Sequence, residues 1–294
     1  MTDWNSKFET WGKPPSQSEK DRCDNAVVAI KKAINNYDGF KDKDVRVFLQ
    51  GSYRNNVNVK QNSDVDIGVC CHNTFYPDYP EGMGAEDFGV EPATYLSGDF
   101  RQDLHNALVW HFGTDEVANG NKAFDIKSNT YRVEADVAPF MDHRRYSPNK
   151  SYLKGVTLIE KSGGLGTVNW PEQHYDNGVE KNKATGGKYK QLVRVLKKLS
   201  LEMEAEGNAT ARVIPGFLCE CLMWNVPNDK ITGKTLYEGL RESIAYLWNA
   251  IKDDKHTEWG EVSELKYLFR TGQKWTAEQA KDFLYDAWNY VGYK

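Results

Sequence analysis

FLQGSYRNNVNVKQNSDVDIGV, residues 48–69, is the stretch from which this chain is best read. Residues 45–50, rich in β-branched and aromatic side chains, read as a strand that stops at Gly51. Gly51 lets the backbone approach a bound group closely, and Ser52 adds a hydroxyl and a main-chain N–H beside it. A second strand is expected over residues 63–71. Strand side chains alternate, so Asp64 and Asp66 face one way while Val65, Ile67 and Val69 face the other. Two carboxylates on one face repel each other unless a cation lies between them. Mg²⁺, which takes a few carboxylates together with substrate phosphates, suits such a pair. The stretch implies a phosphate cradle beside a metal-holding pair of aspartates.

A later segment offers a third carboxylate. TYRVEADVAPF, residues 130–140, alternates strictly, with Val133, Ala135 and Val137 on one face and Glu134 and Asp136 on the other. Pro139 is expected to end that strand. Asp136 can join the first two aspartates from a neighbouring strand, and Glu134, on the same face, is the rival ligand. An isolated Asp-x-Asp is usually a solvated strand face. The Gly-Ser turn upstream and the third aspartate downstream reverse that reading.

Bulk properties narrow the function classes. At 294 residues the chain is long enough for one large domain or two lobes. A net charge of −4 and a pI near 5.9 argue against a protein that coats nucleic acid. The five cysteines, Cys23, Cys70, Cys71, Cys219 and Cys221, are odd in number and lack CxxC spacing, so reduced thiols in a cytoplasmic protein are expected. His72 beside Cys70–Cys71 could suggest a metal, but neighbours on a strand diverge, so no site is expected there. The start, MTDWNSKFET, carries no signal peptide, and no apolar run reaches membrane-spanning length.

Along the chain, helical and strand patterns mix. Ser16 and Glu19 form a capping box opening a helix to about residue 37, with Cys23, Ala26, Val27, Ile30, Ile34 and Tyr37 on one stripe. Residues 72–99, acidic and aromatic with Gly and Pro, are read as a lid or an ordinary insertion. Residues 100–112 read as an amphipathic helix, and 123–140 as a strand pair. A Gly-rich linker at 162–178 marks the expected lobe boundary, and the rest of the chain is helical by period, with further starts at Thr235 and Thr276. The organisation expected is a lobe over 1–161 and a helical lobe over 162–294.

The helix expected over residues 188–203 buries Tyr189, Leu192, Val193, Leu196, Leu199 and Met203. Lys190, Arg194 and Lys197 crowd a neighbouring face. They form either a solvated basic face or one that meets an anion. Lys197, nearest the apolar edge, can run its stem over the core and aim its ammonium into a cleft. Phe217 can stack on a base or belong to the core. Glu220, the polar residue of an apolar helix, is expected to pair with a nearby Arg or Lys, and His105, His111 and His174 to have structural roles.

Gly-Ser, then Asp-x-Asp on the next strand, then one Asp on a later strand resembles the polymerase-β-like nucleotidyltransferases. Within them the chain is most similar to the cGAS/DncV-like nucleotidyltransferases (CD-NTases), bacterial anti-phage synthases of cyclic oligonucleotides. QGSYRNN, NSDVDIGV, ALVWHFG running into VEADVAPF, and GGKYKQLVRVLKKL followed by IPGFLCECLMWNVPN carry the resemblance, over roughly residues 45–228. It implies an α+β bilobal fold, with a mixed sheet, a long N-terminal spine helix joining both lobes and a C-terminal helical lobe. It implies two Mg²⁺ ions, replaceable by Mn²⁺, held by Asp64, Asp66 and Asp136, with Asp136 also orienting and helping to deprotonate the attacking hydroxyl. Gly51 and Ser52 would bind phosphates, Lys197 and then Arg194 the donor triphosphate, and Phe217 a base. One departure stands out: Gly216 occupies a position where such proteins often carry a phosphate-touching Ser. The implied reaction joins nucleoside triphosphates into a cyclic di- or trinucleotide that acts on a separate effector protein. The enzyme is expected to be a monomer, with no membrane and no stable nucleic-acid polymer as partner. Alternatives are a linear nucleotidyltransferase acting on tRNA, protein or a small molecule, and a non-catalytic nucleotide-binding module.

Overall fold

The computed structural model describes residues 3–59, 64–270 and 272–294. The chain packs as two units, one of Ser16–Tyr53 and Lys60–Pro171, the other of Met1–Pro15, Arg54–Val59 and Glu172–Lys294. The first helix, α1 (Trp4–Trp11), therefore belongs with the C-terminal helices. The expected division instead placed residues 1–161 together.

The sheet unit opens with α2 (Gln17–Asn35), capped by the Ser16 hydroxyl accepting from the Glu19 N–H. Then come β1 (Val45–Leu49), α3 (Gly51–Arg54), β2 (Val65–Asp78), α4 (Ala85–Phe88) and α5 (Ser97–Phe112). The remaining strands are β3 (Val117–Asn119), β4 (Phe124–Ile126), β5 (Ala135–Tyr146), β6 (Tyr152–Ile159) and β7 (Leu165–Asn169). They build one mixed sheet in the order β1-β2-β5-β4-β3, with β6 on β5 and β7 on β6. Only β2 and β5 pair in parallel. α2, which the resemblance makes a spine joining both lobes, is grouped with this unit.

Alternation in β2 and β5 sorts the two faces of the sheet. Val65, Ile67, Val69, Ala135 and Val137 are buried with Ile30 of α2 and Leu104 and Leu108 of α5 in one core. The opposite face carries a smaller cluster, Cys70, Ala138, Phe140, Val156 and Leu158, with Phe48 against it. The aspartates project from this second face.

Three expectations change. The strand expected from residue 63, itself outside the described residues, runs well past 71 to Asp78, because β5 continues as its partner beyond an irregularity between Cys71 and Phe75. The first part of residues 72–99 is therefore sheet, neither lid nor insertion. Pro139 does not end β5, since the strand continues to Tyr146; at that position β6 has not yet begun to pair. The Gly-rich stretch from 162 holds β7, paired with β6, and the start of the next helix, which moves the boundary to 171/172.

The helical unit contains α6 (Pro171–Ala184), α7 (Lys188–Ala205), α8 (Ala209–Arg212), α9 (Gly216–Trp224), α10 (Leu236–Lys252) and α11 (Ala277–Val291). Thr235 and Thr276 open the last two with reciprocal capping boxes to Glu238 and Gln279. The expected apolar stripe of α7 is fully buried against Leu222, Leu240 and Phe283, and Phe8 of α1 joins that core. Among the described residues no helix is long and apolar enough to cross a membrane.

Candidate active site

The parallel register sets Asp66 of β2 directly opposite Asp136 of β5. On its other side Asp136 faces Asp125 of β4. Neighbouring strands lie about 4.8 Å apart, so three carboxylates stand in one row across three strands. Asp64 and Glu134 lie just before the paired run, where the Val65 N–H donates to the Glu134 carbonyl at 3.0 Å. Burial, followed by the negative charges of Asp66, Asp125, Asp64 and Glu134, pushes the Asp136 carboxyl up to about 6. The expected trio is thus brought into mutual electrostatic reach, and Glu134 stays a neighbour.

Asp125 is the residue that sequence reasoning missed. Its signal was present: Phe124 and Ile126 are buried while Asp125 points the other way, the same alternation that singled out Asp136. A three-residue strand is too short to advertise itself.

The Gly51 turn lies against this row. Gly51 has φ +64°, and a Cβ built on it would sit 2.0 Å from Asp66 Oδ2, so both the left-handed backbone and the close approach require glycine. The Gln50 N–H donates to the Asp66 carbonyl at 3.0 Å, which fixes the end of β1 beside the carboxylate. Ser52 follows within the single turn of α3. An open cleft of about 370 Å³ spreads over this face, lined by Gln50, Asp66, Lys122, Asp136, Thr167 and Asn169 above an apolar floor of Ala138, Phe140 and Leu158. Hard carboxylate oxygens crowded into one row fit Mg²⁺, whose charge would relieve the repulsion felt by Asp136.

A second group of ligand-type side chains lies farther along the same face. Cys70 and His72 are two residues apart and share a side, so the expected divergence applies only to Cys71. His72 Nδ1 is 2.8 Å from Asp142 Oδ1, the Cys70 thiol is 3.7 Å from the same oxygen, and Lys154 Nζ is 3.4 Å from the other. Burial would raise the Asp142 carboxyl, but His72 and Lys154 outweigh it and hold it below the usual carboxylate range. These contacts tie β2, β5 and β6 together.

In the helical unit the basic face of α7 is buried. Lys190, Arg194 and Lys197 are 9%, 4% and 5% exposed. Arg194 donates from Nε to the Gly12 carbonyl at 2.8 Å and from Nη1 to the Asn56 carbonyl at 2.6 Å. Its guanidinium clamps these backbone carbonyls. Lys197 donates to the Val57 carbonyl at 3.3 Å and lies 3.6 Å from Glu220 Oε2, so the expected pairing of Glu220 is found. His174, expected to be structural, donates from Nε2 to Glu220 at 2.9 Å. Phe217 is 38% exposed beside His174 and Trp275 and does not belong to the core.

Comparison with known proteins places this arrangement. Residues 176–292 match the cGAS/DncV-like nucleotidyltransferase C-terminal helical domain. A cyclic dipyrimidine nucleotide synthase CdnE of Legionella pneumophila is 42% identical over 293 residues, 98% of each chain. The chain belongs to the cGAS/DncV-like nucleotidyltransferase family. A second cyclic dipyrimidine nucleotide synthase CdnE, of Cecembia lonarensis, is 41% identical over 97% of each chain. Among solved structures, the Rhodothermus marinus CdnE c-UMP-AMP synthase with Apcpp and Upnpp superposes with a TM-score of 0.86 at 28% identity, covering 98% of this chain and 97% of that one. The Elizabethkingia meningoseptica CdnE cyclic dinucleotide synthase with GTP and Apcpp gives 0.81 at 31% identity, covering 98% and 99%. This CD-NTase is therefore an enzyme of nucleotidyl transfer with the expected α+β fold, and a divalent metal cofactor goes with the family.

Proposed function

We propose that this cyclic-oligonucleotide synthase joins two pyrimidine nucleoside triphosphates into a cyclic dinucleotide, which then acts on a separate effector protein. The choice of pyrimidines rests on the two relatives above 40% identity, both named as dipyrimidine synthases and both matched along nearly their whole length. The chemistry rests on one observation: the register row of Asp66, Asp136 and Asp125 beside the Gly51 turn.

Asp64, Asp66 and Asp136 are the proposed ligands of Mg²⁺, which when bound neutralises triphosphate charge and acidifies a coordinated hydroxyl. Gly51 and Ser52 bind phosphate oxygens, and Lys197 contributes positive charge to the donor triphosphate. Asp136 orients the attacking ribose hydroxyl and accepts its proton. The hydroxyl oxygen bonds to the α-phosphorus, the bond to the β-phosphate oxygen breaks, and pyrophosphate leaves. A second such transfer closes the ring. Little covalent work falls to the protein, and positioning with charge neutralisation lowers the barrier. Thr167 and Asn169 bring hydrogen-bonding groups to the cleft, suited to the edge of a base.

Purified protein incubated with Mg²⁺ and each of the four labelled nucleoside triphosphates, then with phosphatase, tests the proposal. A phosphatase-resistant product labelled from UTP or CTP alone is expected. A product that phosphatase degrades overturns cyclisation, and one built only from ATP or GTP overturns the pyrimidine assignment.

A further inference from the structure

We infer that Glu220 is a positioning residue, holding the Lys197 ammonium in place for a triphosphate. The inference rests on the reading of Lys197 as a triphosphate contact.

Both partners are buried, Lys197 at 5% and Glu220 at 3% exposure. Glu220 sets a carboxylate beside the Lys197 ammonium inside the fold. Burial by itself would raise the Glu220 carboxyl, but Lys197 and the His174 hydrogen bond hold it below the usual carboxylate range, so the ion pair is formed.

The spacing is as informative as the pairing. Lys197 Nζ lies 3.6 Å from Glu220 Oε2, longer than the roughly 2.7–2.9 Å of a charge-assisted hydrogen bond. Its contact to the Val57 carbonyl is also long, 3.3 Å. An ammonium carries three N–H donors, and contacts this long leave it able to donate to a ligand as well. Glu220 cannot turn to follow it, because its other oxygen accepts from His174 Nε2 at 2.9 Å. The lysine stem runs past Gly216, where even an added Cβ would meet Lys197 Cε at an ordinary 3.5 Å. The result is a fixed carboxylate post beside an ammonium held only by long contacts.

The test is steady-state kinetics on Glu220→Gln, Lys197→Met and the double variant, with folding followed by thermal melting. Glu220→Gln is expected to raise the KM for nucleoside triphosphate about tenfold while changing kcat less than about twofold. In the Lys197→Met background the same change adds nothing to KM, and it raises the melting temperature by removing a buried charge that has lost its partner. An unchanged KM in Glu220→Gln, or an equal further rise in the Lys197→Met background, overturns the inference while leaving the lysine reading intact. If Lys197→Met itself leaves KM unchanged, the lysine reading fails first and takes the inference with it. Should the Glu220 or Lys197 variants not fold, His174→Gln, whose amide can still donate to Glu220, is compared with His174→Leu, which cannot. A KM rise in the leucine variant alone supports the positioning role, and equal KM values in the two refute it.

Discussion

On the sheet, Asp66, Asp136 and Asp125 stand side by side across three strands, whereas on α7 Arg194 and Lys197 are buried among acceptors drawn from their own unit. Like charges are crowded together in the first region, and burial together with those charges pushes the Asp136 carboxyl up to about 6. In the second, each positive charge already has an answer: carbonyls for Arg194, a carboxylate and a carbonyl for Lys197. A row of carboxylates crowded onto one sheet face suits a divalent cation. A basic stripe with built-in acceptors mainly holds the protein together, and only a loosely held member such as Lys197 has donors left for a ligand.

That contrast is broken most directly by removing charge from the row. Asp64→Ala combined with Asp66→Ala is expected to lower product formation by about a thousandfold or more, measured as pyrophosphate release from nucleoside triphosphates with Mg²⁺. Turnover close to that of the unmodified enzyme would show that the row is merely a solvated face. On the helical side the expected loss is one of stability. Arg194→Met leaves the Gly12 and Asn56 carbonyls without their charged donor and should cost about 3 kcal/mol in denaturant unfolding. A cost near zero would return Arg194 to the pool of ligand contacts.

The smallest effect sharpens the electrostatics. Asp136 holds its proton more tightly in the folded protein, about 6 against an ordinary 3.8. The stability linked to that proton is present at low pH and lost as pH rises from about 4 through about 6. Ionised Asp136 is the form that takes a cation, so stabilisation by Mg²⁺ should grow across the same window. Thermal melting between about pH 5 and pH 8, with and without Mg²⁺, reads both trends. Asp136→Asn should flatten them, and a Mg²⁺ effect independent of pH would detach Asp136 from the metal.

Much of the architecture was legible in local patterns. The caps at Ser16, Thr235 and Thr276 open helices as expected, and the buried stripe of α7 matches its period. Other features were hidden because they depend on partners remote in the chain. β7 reads as a Gly-rich linker until β6 is there to pair with it, and β2 outruns its apolar signal because β5 continues beside it. Arg194 gives no sign in its own helix that Gly12 and Asn56 will supply its acceptors.

From the sequence alone came the directions of side chains: Asp64 and Asp66 on one strand face, Asp136 on one face of another, Lys197 at the edge of an apolar stripe. Those directions follow from backbone geometry repeating every two residues in a strand and every 3.6 in a helix, a property of each segment by itself. Only the tertiary structure decided what those side chains meet. Strand register put Asp66 and Asp125 on either side of Asp136, and helix packing set Glu220 against Lys197. Register and packing are chosen by the burial of whole faces against each other, and no single segment contains that information.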